Sequence, residues 1–505
     1  MKRFAITFLT FCFAMMATAE PIGKQAALYT ARTYMLAKGK VLSTNPSPRR
    51  GAKEASQEVE DYYYVFNAGN DGGYVIVSGD DRTEPILGYV EQGTFDPDNI
   101  PENMRSWLQL YADQIKFIID NDIDPASPLL KKRNKAQATK HSVPELLTTR
   151  WNQGSPYNIL CPKYYKGDGT QDYPATGCSA TAMAQVVNFY KYPEKTKTVI
   201  EAHSNKYTLD DGSEKSVTAK AIPRNTVIDW ENMRDTYSWN GEANTTAQDT
   251  AVAKLMLMCG QGVKMGWGAS SGAVTSRSRD FFVKCFGYDA CAHWGGRGSY
   301  SIDEWFDMLY HEIELGYPVL YAGHSSGGGH AFVLDGFDGD NLFHVNWGWG
   351  GGSNGWFLVS ILNPGDNSGI GASSSSDGYS MSQGALFGLR TPNDPKEDPS
   401  LYISDVSIVN KTSIKATFTN KTGSKGSFHA GIVMLNENDS LVLVGTRQSI
   451  SGMENDASQT KTINLKGKIP EGTYRLSPAS KLMRSEVWHT KYNMQNQYTS
   501  QGGTR

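Results

Sequence analysis

Cysteine is scarce in this chain, with six among 505 residues. Cys12 falls in the amino-terminal apolar run, which leaves Cys161, Cys178, Cys259, Cys285 and Cys291. Five are too few to staple a chain of this length, so a disulfide scaffold is excluded. Cys-x-x-Cys and zinc-type Cys/His spacings are also missing, and neither a metal nor a cofactor is expected. Charge of one sign is lacking too. Forty-nine Lys and Arg against 52 Asp and Glu leave a formal net charge of −3, which gives nucleic acid no electrostatic reason to bind. Beyond the amino terminus no apolar run approaches the roughly 18 residues that a membrane span needs. The chain has no long internal repeat, and its one biased tract, GIGASSSSDG, reads as a surface loop.

What is present points to an exported, multidomain protein. Lys2 and Arg3 precede the apolar run FAITFLTFCFAMMA and a small-residue ATA ending at Ala19. That pattern makes residues 1–19 a secretory signal, so the mature chain is expected to be secreted, extracellular or at the cell surface. An exported chain with five remaining cysteines leaves at least one thiol unpaired, and nucleophilic catalysis is one reason to keep it. A hydrophobic content of 39% with 11% aromatics can fill real cores, and 51 glycines indicate turn-rich, β-containing structure.

Composition shifts divide the chain. Residues 20–141 read as an α+β unit. KQAALYTARTYMLAKG spaces Ala27, Ala31, Tyr34 and Met35 helically, and two strand-like runs flank the hairpin signal at Asn70–Gly73. MRSWLQLYADQIKFII then aligns Met104, Trp107, Leu108, Tyr111, Ile115 and Ile118 along one helical face. The stretch from Leu130 to Arg150 is basic and aperiodic, the character of an exposed linker open to proteolysis, with Lys140 or a neighbouring bond as the cut. Residues 142–392 form a glycine- and aromatic-rich body. After a second linker at Asn393–Ser400, residues 400–505 show short strand runs separated by turns, read as an immunoglobulin-like β-sandwich.

The chemistry centres on ATGCSATAMAQ. Ala180, Met183, Ala184 and Val187 follow helical spacing, so Cys178 stands at a helix start, where free amides and the dipole favour a thiolate and can hold an oxyanion. Gly177 allows a substrate's backbone to come close. A buried structural cysteine is the plain alternative. Downstream, PVLYAGHSSGGGHAFVLDGFDGDNLFHVNWGWGG reads as strand, glycine loop, strand, turn and strand. With the turn at Asp338–Asn341, the pairing puts Trp349 opposite His330 with Asn346 nearby. A base with an orienting carboxamide and shielding tryptophans is what a Cys–His pair needs. His324 and His344 are rival bases, the first across a flexible glycine loop and the second in mid-hairpin. Upstream, Gln153 is a neutral donor able to face a developing oxyanion. The order Gln, Cys, His, Asn is that of papain-like thiol proteases.

Four stretches carry a specific resemblance: VPELLTTRWNQGSPYN, ATGCSATAMAQVVNFYKYP, GGHAFVLDGFD and FHVNWGWGG. Together they resemble the streptopain family of papain-like cysteine endopeptidases over about Val143 to Arg390. The block GGYVIVSGDDRTEPILGYVEQGTFD resembles that family's inhibitory propeptide. The resemblance implies an α+β, papain-like fold with a helical and an antiparallel β subdomain, behind an α+β propeptide. It implies Cys178 as nucleophile, His330 as general base and acid, and Gln153 with the Cys178 amide as oxyanion hole. Asn346, Trp347 and Trp349 would orient or shield the imidazole, while Ala273 and Gly329 would line the substrate cleft. The expected partners are protein and peptide substrates and the chain's own propeptide. Four further cysteines exceed the family's need; Cys285 and Cys291 pair, or all four are small buried residues. The competing readings are a catalytically silent adhesin or binding protein, and an acyltransferase using the same dyad.

Overall fold

A computed structural model describes residues 21–42, 49–50, 62–69, 71–125, 127, 130, 140–289, 292–297, 302–325, 328–361, 383–394, 400–420, 422, 425–435, 441–455, 457–466, 474–486, 488–489 and 498–500. The signal segment, residues 131–139 of the first linker, most of the second linker, the serine-rich loop and Cys291 lie outside these residues.

The amino-terminal unit is built as its periodicity predicts. Helix α1 (Lys24–Ala37) buries Ala27, Ala31 and Met35. Strands β1 (Arg49–Arg50), β2 (Tyr63–Asn67), β3 (Tyr74–Ser78) and β4 (Ile86–Val90) form an antiparallel sheet, with Asn67 opposite Tyr74 at the expected turn. Helix α2 (Glu102–Asp120) buries all six residues of its predicted face. These parts are local, and local signals specify them.

The body has a helical half and a sheet half. Two short ribbons, β5 (Tyr164–Tyr165) with β6 (Gln171–Asp172) and β7 (His203–Thr208) with β8 (Glu214–Ala219), flank helices α3 (Cys178–Tyr190), α4 (Ala247–Gly262) and α5 (Ser278–Phe281). A reciprocal Thr246–Asp249 capping box starts α4. The sheet half holds β9 (His293–Gly296), helix α6 (Ile302–Glu314), β10 (Val319–Ser325), β11 (Gly328–Phe337), β12 (Phe343–Asn346), β13 (Gly355–Phe357) and β14 (Gly384–Phe387).

The two units share one sheet. Its ten strands run β1-β2-β3-β4-β13-β12-β11-β10-β14-β9, so the amino-terminal unit continues the body's sheet through β4 and β13. Trp356 pairs with Tyr89 and Phe357 with Gly88. The strands meet closely because glycine stands on both sides. A Cβ on Gly88 would lie 2.8 Å from a Phe357 ring carbon, and one on Gly355 would lie 2.6 Å from the Tyr89 carbonyl oxygen. Helix α2 lies across the same face, and its Tyr111 hydroxyl lies within hydrogen-bond reach of the carbonyls of Leu87 and Leu358, one from each unit.

The sheet separates two cores. One joins Trp107, Tyr111 and Ile115 of α2 to Tyr321, Phe332, Leu334, Trp347 and Phe357. The other joins α3 and α4 to Ala331 and Val333. β11 alternates between them, because neighbouring side chains of a strand point to opposite faces.

Past the second linker the regular elements among the described residues are all β-strands. One sheet orders β15 (Tyr402–Asn410), β16 (Ser413–Thr419) and β20 (Ser458–Asn464). The other orders β18 (Leu441–Leu443), β17 (Gly426–Leu435), β21 (Tyr474–Leu482) and β22 (Tyr498–Ser500), with β19 (Gln448–Met453) also on β17. Leu401, Ile403, Phe418, Phe428 and Ile432 belong to a third core. The turn-separated strand runs correspond to these strands; β19 and β22 were not anticipated.

Candidate active site

Cys178 is the first residue of α3, behind Gly177 at φ +89°. Only glycine takes that backbone readily, and a Cβ there would also lie 2.5 Å from the Met265 methyl carbon. The site is fastened from two sides. Gln153 accepts the Thr176 amide on its carbonyl at 3.0 Å, which holds the Gln153 segment two residues before the cysteine. The Ser179 and Thr275 hydroxyls are hydrogen-bonded at 2.8 Å, which brings the Ser271–Thr275 segment, with Ala273, against the helix start. Gln153, Cys178 and Ala273, widely separated in sequence, are thereby neighbours of one helix terminus.

The thiol meets the sheet at Ala331, whose N–H donates to Cys178 Sγ at 3.4 Å. Burial pushes the Cys178 thiol above its ordinary value, against the opposing pull of the Ala331 and Ser179 amides. The helix start alone therefore does not make a thiolate here. An anion in a desolvated site needs a facing cation, and the expected one is turned away.

His330 is next to Ala331 on β11 and so belongs to the opposite face. It lines a small cavity with Phe332, Gly323 and, from α2, Asn103, Ser106 and Trp107. Trp107 packs edge-on against Phe332 at 5.3 Å and Tyr321 at 5.9 Å. Cys178 and His330 are thus on opposite faces of one strand, with the amino-terminal unit on the histidine's side. Gly329 is exposed at the hairpin tip, opposite His324.

The carboxamide and tryptophans are all placed on the strand end and loop after β12. Asn346 pairs with Val333 and is buried; its Nδ2 donates to the Thr149 carbonyl at 2.8 Å and its Oδ1 accepts from the Gly348 amide at 3.1 Å. Trp347 is 1% exposed, donates from Nε1 to the Ser353 carbonyl, and packs on Phe332 at 4.9 Å. Its carbonyl accepts from the Asn103 side chain of α2. Trp349 is partly buried with an unpaired, enclosed indole N–H. It does not pair with His330: β12 ends at Asn346, and Gly348, Gly350 and Gly351 at φ +73°, +67° and +85° curl the chain away.

Among the rival bases, His344 is engaged by Asp335 at 2.6 Å. The His324 side chain lies outside the described residues. Cys161, Cys259 and Cys285 are free thiols; burial raises Cys161 to about 12 and also pushes Cys259 up, and the Thr198 hydroxyl donates to Cys285 Sγ at 3.4 Å. Asn103, Ser106 and Trp107 are site neighbours that sequence reasoning placed only as a helix. Their signal was the apolar face of α2, which packs on the amino-terminal strands and on the body alike.

A thiol at a glycine-led helix start, next to a carboxamide-bearing segment and under a sheet whose other face is covered by the chain's own amino-terminal unit, defines a thiol hydrolase held as a proenzyme. The comparisons bear on the protease and on its propeptide. Residues 151–357 match the Peptidase C10 family and residues 19–115 the Spi protease inhibitor family. The chain is 37% identical over 341 residues to streptopain of Streptococcus pyogenes serotype M1, covering 65% of this chain and 80% of that relative. It is 30% identical over 401 residues to a thiol protease/hemagglutinin of Porphyromonas gingivalis, covering 77% of this chain and 44% of that longer protein. In structure it is similar to prointerpain A of Prevotella intermedia, at TM-score 0.53 and 32% identity over 68% of this chain and 99% of that one. The chain belongs to the Peptidase C10 family: it is a papain-like cysteine endopeptidase made as a self-processing zymogen with an inhibitor-type propeptide.

Proposed function

We propose that Cys178 is the nucleophile of this endopeptidase and His330 its general base and acid, and that the described state is the latent one. The observation that carries the reading is the opposition across β11: Ala331 touches the thiol, while His330 faces Trp107 of α2. Departure of α2 frees the β10–β11 hairpin to present His330 to Cys178. Asn346, Trp347 and Trp349 then lie beside the imidazole, and Ala273 and Gly329 line the cleft. The thiol gives its proton to the imidazole, Sγ attacks the scissile carbonyl carbon, and the imidazolium protonates the leaving amine. Water cleaves the resulting thioester and restores the thiol.

Gln153 and the Cys178 amide would hold the tetrahedral oxyanion. Gln153→Ala is expected to lower kcat by roughly 10²–10³, with KM changed much less. Steady-state assays of processed enzyme on a fluorogenic peptide read this directly; an unchanged kcat removes Gln153 from the site.

The reading extends to the whole chain: signal 1–19 and export, propeptide 20–141, catalytic domain 142–392, and an immunoglobulin-like sandwich at 400–505. Protein and peptide substrates, and the propeptide as inhibitor, are its partners. Lys140 is already docked on the body, 2.9 Å from Asp307 and 4.2 Å from the Tyr310 ring centre, which favours a cut in the linker before it. Incubation of the zymogen with a reductant and casein tests the function. Loss of the amino-terminal segment followed by casein degradation supports it. A zymogen that stays intact under reductant, with casein still intact after another protease has cut the linker, overturns it.

A further inference from the structure

His344 is enclosed with an acid on each ring nitrogen. Its side chain is 3% exposed and that of Asp335 is 0%. Nδ1 lies 2.6 Å from Asp335 Oδ1, and Nε2 lies 3.4 Å from Glu145 Oε1. The Trp356 ring closes the site edge-on at 5.1 Å. A neutral imidazole has one N–H and can donate to one acceptor only, so carboxylates at both nitrogens call for the doubly protonated, charged ring.

The two acids belong to different segments. Asp335 is on β11, five residues after His330. Glu145 is on the strap that leads from the linker into the body. The Asp335 Oδ2 accepts the Leu147 amide at 2.9 Å, its carbonyl accepts the Leu146 amide at 2.7 Å, and Val143 exchanges two backbone bonds with Phe337. One turn later Asn346 holds the Thr149 carbonyl. The strap then reaches Gln153, whose carbonyl is bonded to Thr176 beside Cys178.

We propose that Asp335, His344 and Glu145 form a charge clamp that sews the strap to β11 and so positions Gln153 for catalysis. All three are positioning residues, since none touches substrate or the reacting atoms. The proposal rests on Gln153 serving the oxyanion, as read above. It adds a role for a histidine outside the Cys–His pair and a source of pH dependence distinct from that pair.

The charged groups facing His344 are Asp335 from β11, Glu145 from the strap and Glu91 from the end of β4, all acids. Burial alone would lower the imidazolium's pKa. Asp335, then Glu145 and Glu91, reverse this and raise it above the ordinary histidine value. A raised histidine gives its stabilisation fully below the unfolded-state pKa and loses it as pH rises through the folded one. The clamp therefore opens on the alkaline side. Glu91 leaves with the propeptide, so the processed enzyme opens at a lower pH than the zymogen.

The test uses processed full-length-derived enzyme, its Glu145→Gln variant, and His344→Gln to assign the ring signals. Ring titration by NMR, amide exchange at Leu147 and the pH profiles of kcat and KM are measured together. In Glu145→Gln the His344 titration and the alkaline limb of kcat should move down together by about half a unit to one unit, with KM within about twofold. Leu147 exchange should accelerate over the same pH range. A shifted ring titration with an unmoved kcat profile overturns the positioning role, and a neutral ring at pH 6 overturns the clamp. Parent enzyme inactive at every pH is failure of the nucleophile reading instead. Leu147 exchange then decides the clamp, overturning it if the rate ignores the ring titration.

Discussion

Cys178→Ala leaves the zymogen at full length under reductant and without detectable peptide hydrolysis. The expected loss is at least about four orders of magnitude in kcat, as for removal of the nucleophile from other covalent hydrolases. The fold should hardly notice. Cys178 is half-buried as a residue and its Sγ accepts a long bond from Ala331, so the stability change should stay within about 1 kcal/mol. That contrast gives the prediction its force. Gel analysis with casein, beside a thermal melt of both proteins, checks the two halves. Processing at the parental rate by the alanine variant would mean that another residue attacks the bond.

The second large effect is on latency. Trp107 is 4% exposed and joins α2 to the body through Tyr321 and Phe332, and its indole N–H donates to Tyr111 at 3.0 Å. Trp107→Ala removes the largest side chain facing His330 and leaves a cavity at the seam. Truncations of this kind cost about 3–5 kcal/mol, which is roughly 10²–10³-fold or more in the propeptide's hold on the enzyme. The variant zymogen should process sooner, and separately prepared variant propeptide should inhibit processed enzyme that much more weakly. Equal inhibition constants for parent and variant propeptides would show that α2 is a spectator and that the β4–β13 pairing alone supplies latency.

Much of this arrangement was legible in the sequence, and what was hidden has a physical cause. Helices α1, α2 and α3 follow from residues that recur at helical spacing, and the β11–β12 pairing follows from its turn, down to Val333 opposite Asn346. The face taken by His330 was not legible. Ala331 and Val333 point to one core and Phe332 and Leu334 to another, so β11 is apolar on both sides and alternation gives no orientation. Nor could sequence join β4 to β13, because a contact between segments about 270 residues apart has no local signature. Trp349 was misplaced opposite His330 because the pairing was extended through glycines that end the strand. The amides and the dipole of a helix start favour a thiolate, and burial of the Cys178 thiol, which no local pattern shows, outweighs them. The acids around His344 illustrate the same limit: Glu145, Asp335 and His344 sit on a strap and two strands, and only the fold brings them together.

The central claim is that the propeptide keeps Cys178 and His330 on opposite faces of β11 and that its departure unites them. The pH dependence of Cys178 alkylation tests it most directly, with iodoacetamide in the first seconds after mixing and peptide masses separating full-length from processed chains. The account predicts a sluggish thiol in the zymogen that ionises above its ordinary value. In the processed enzyme the thiol should react at least ~10²-fold faster at pH 6, as a thiolate paired with an imidazolium does. Identical alkylation profiles for the two forms would contradict the account, because the dyad would then be equally assembled, or equally absent, before and after the propeptide leaves.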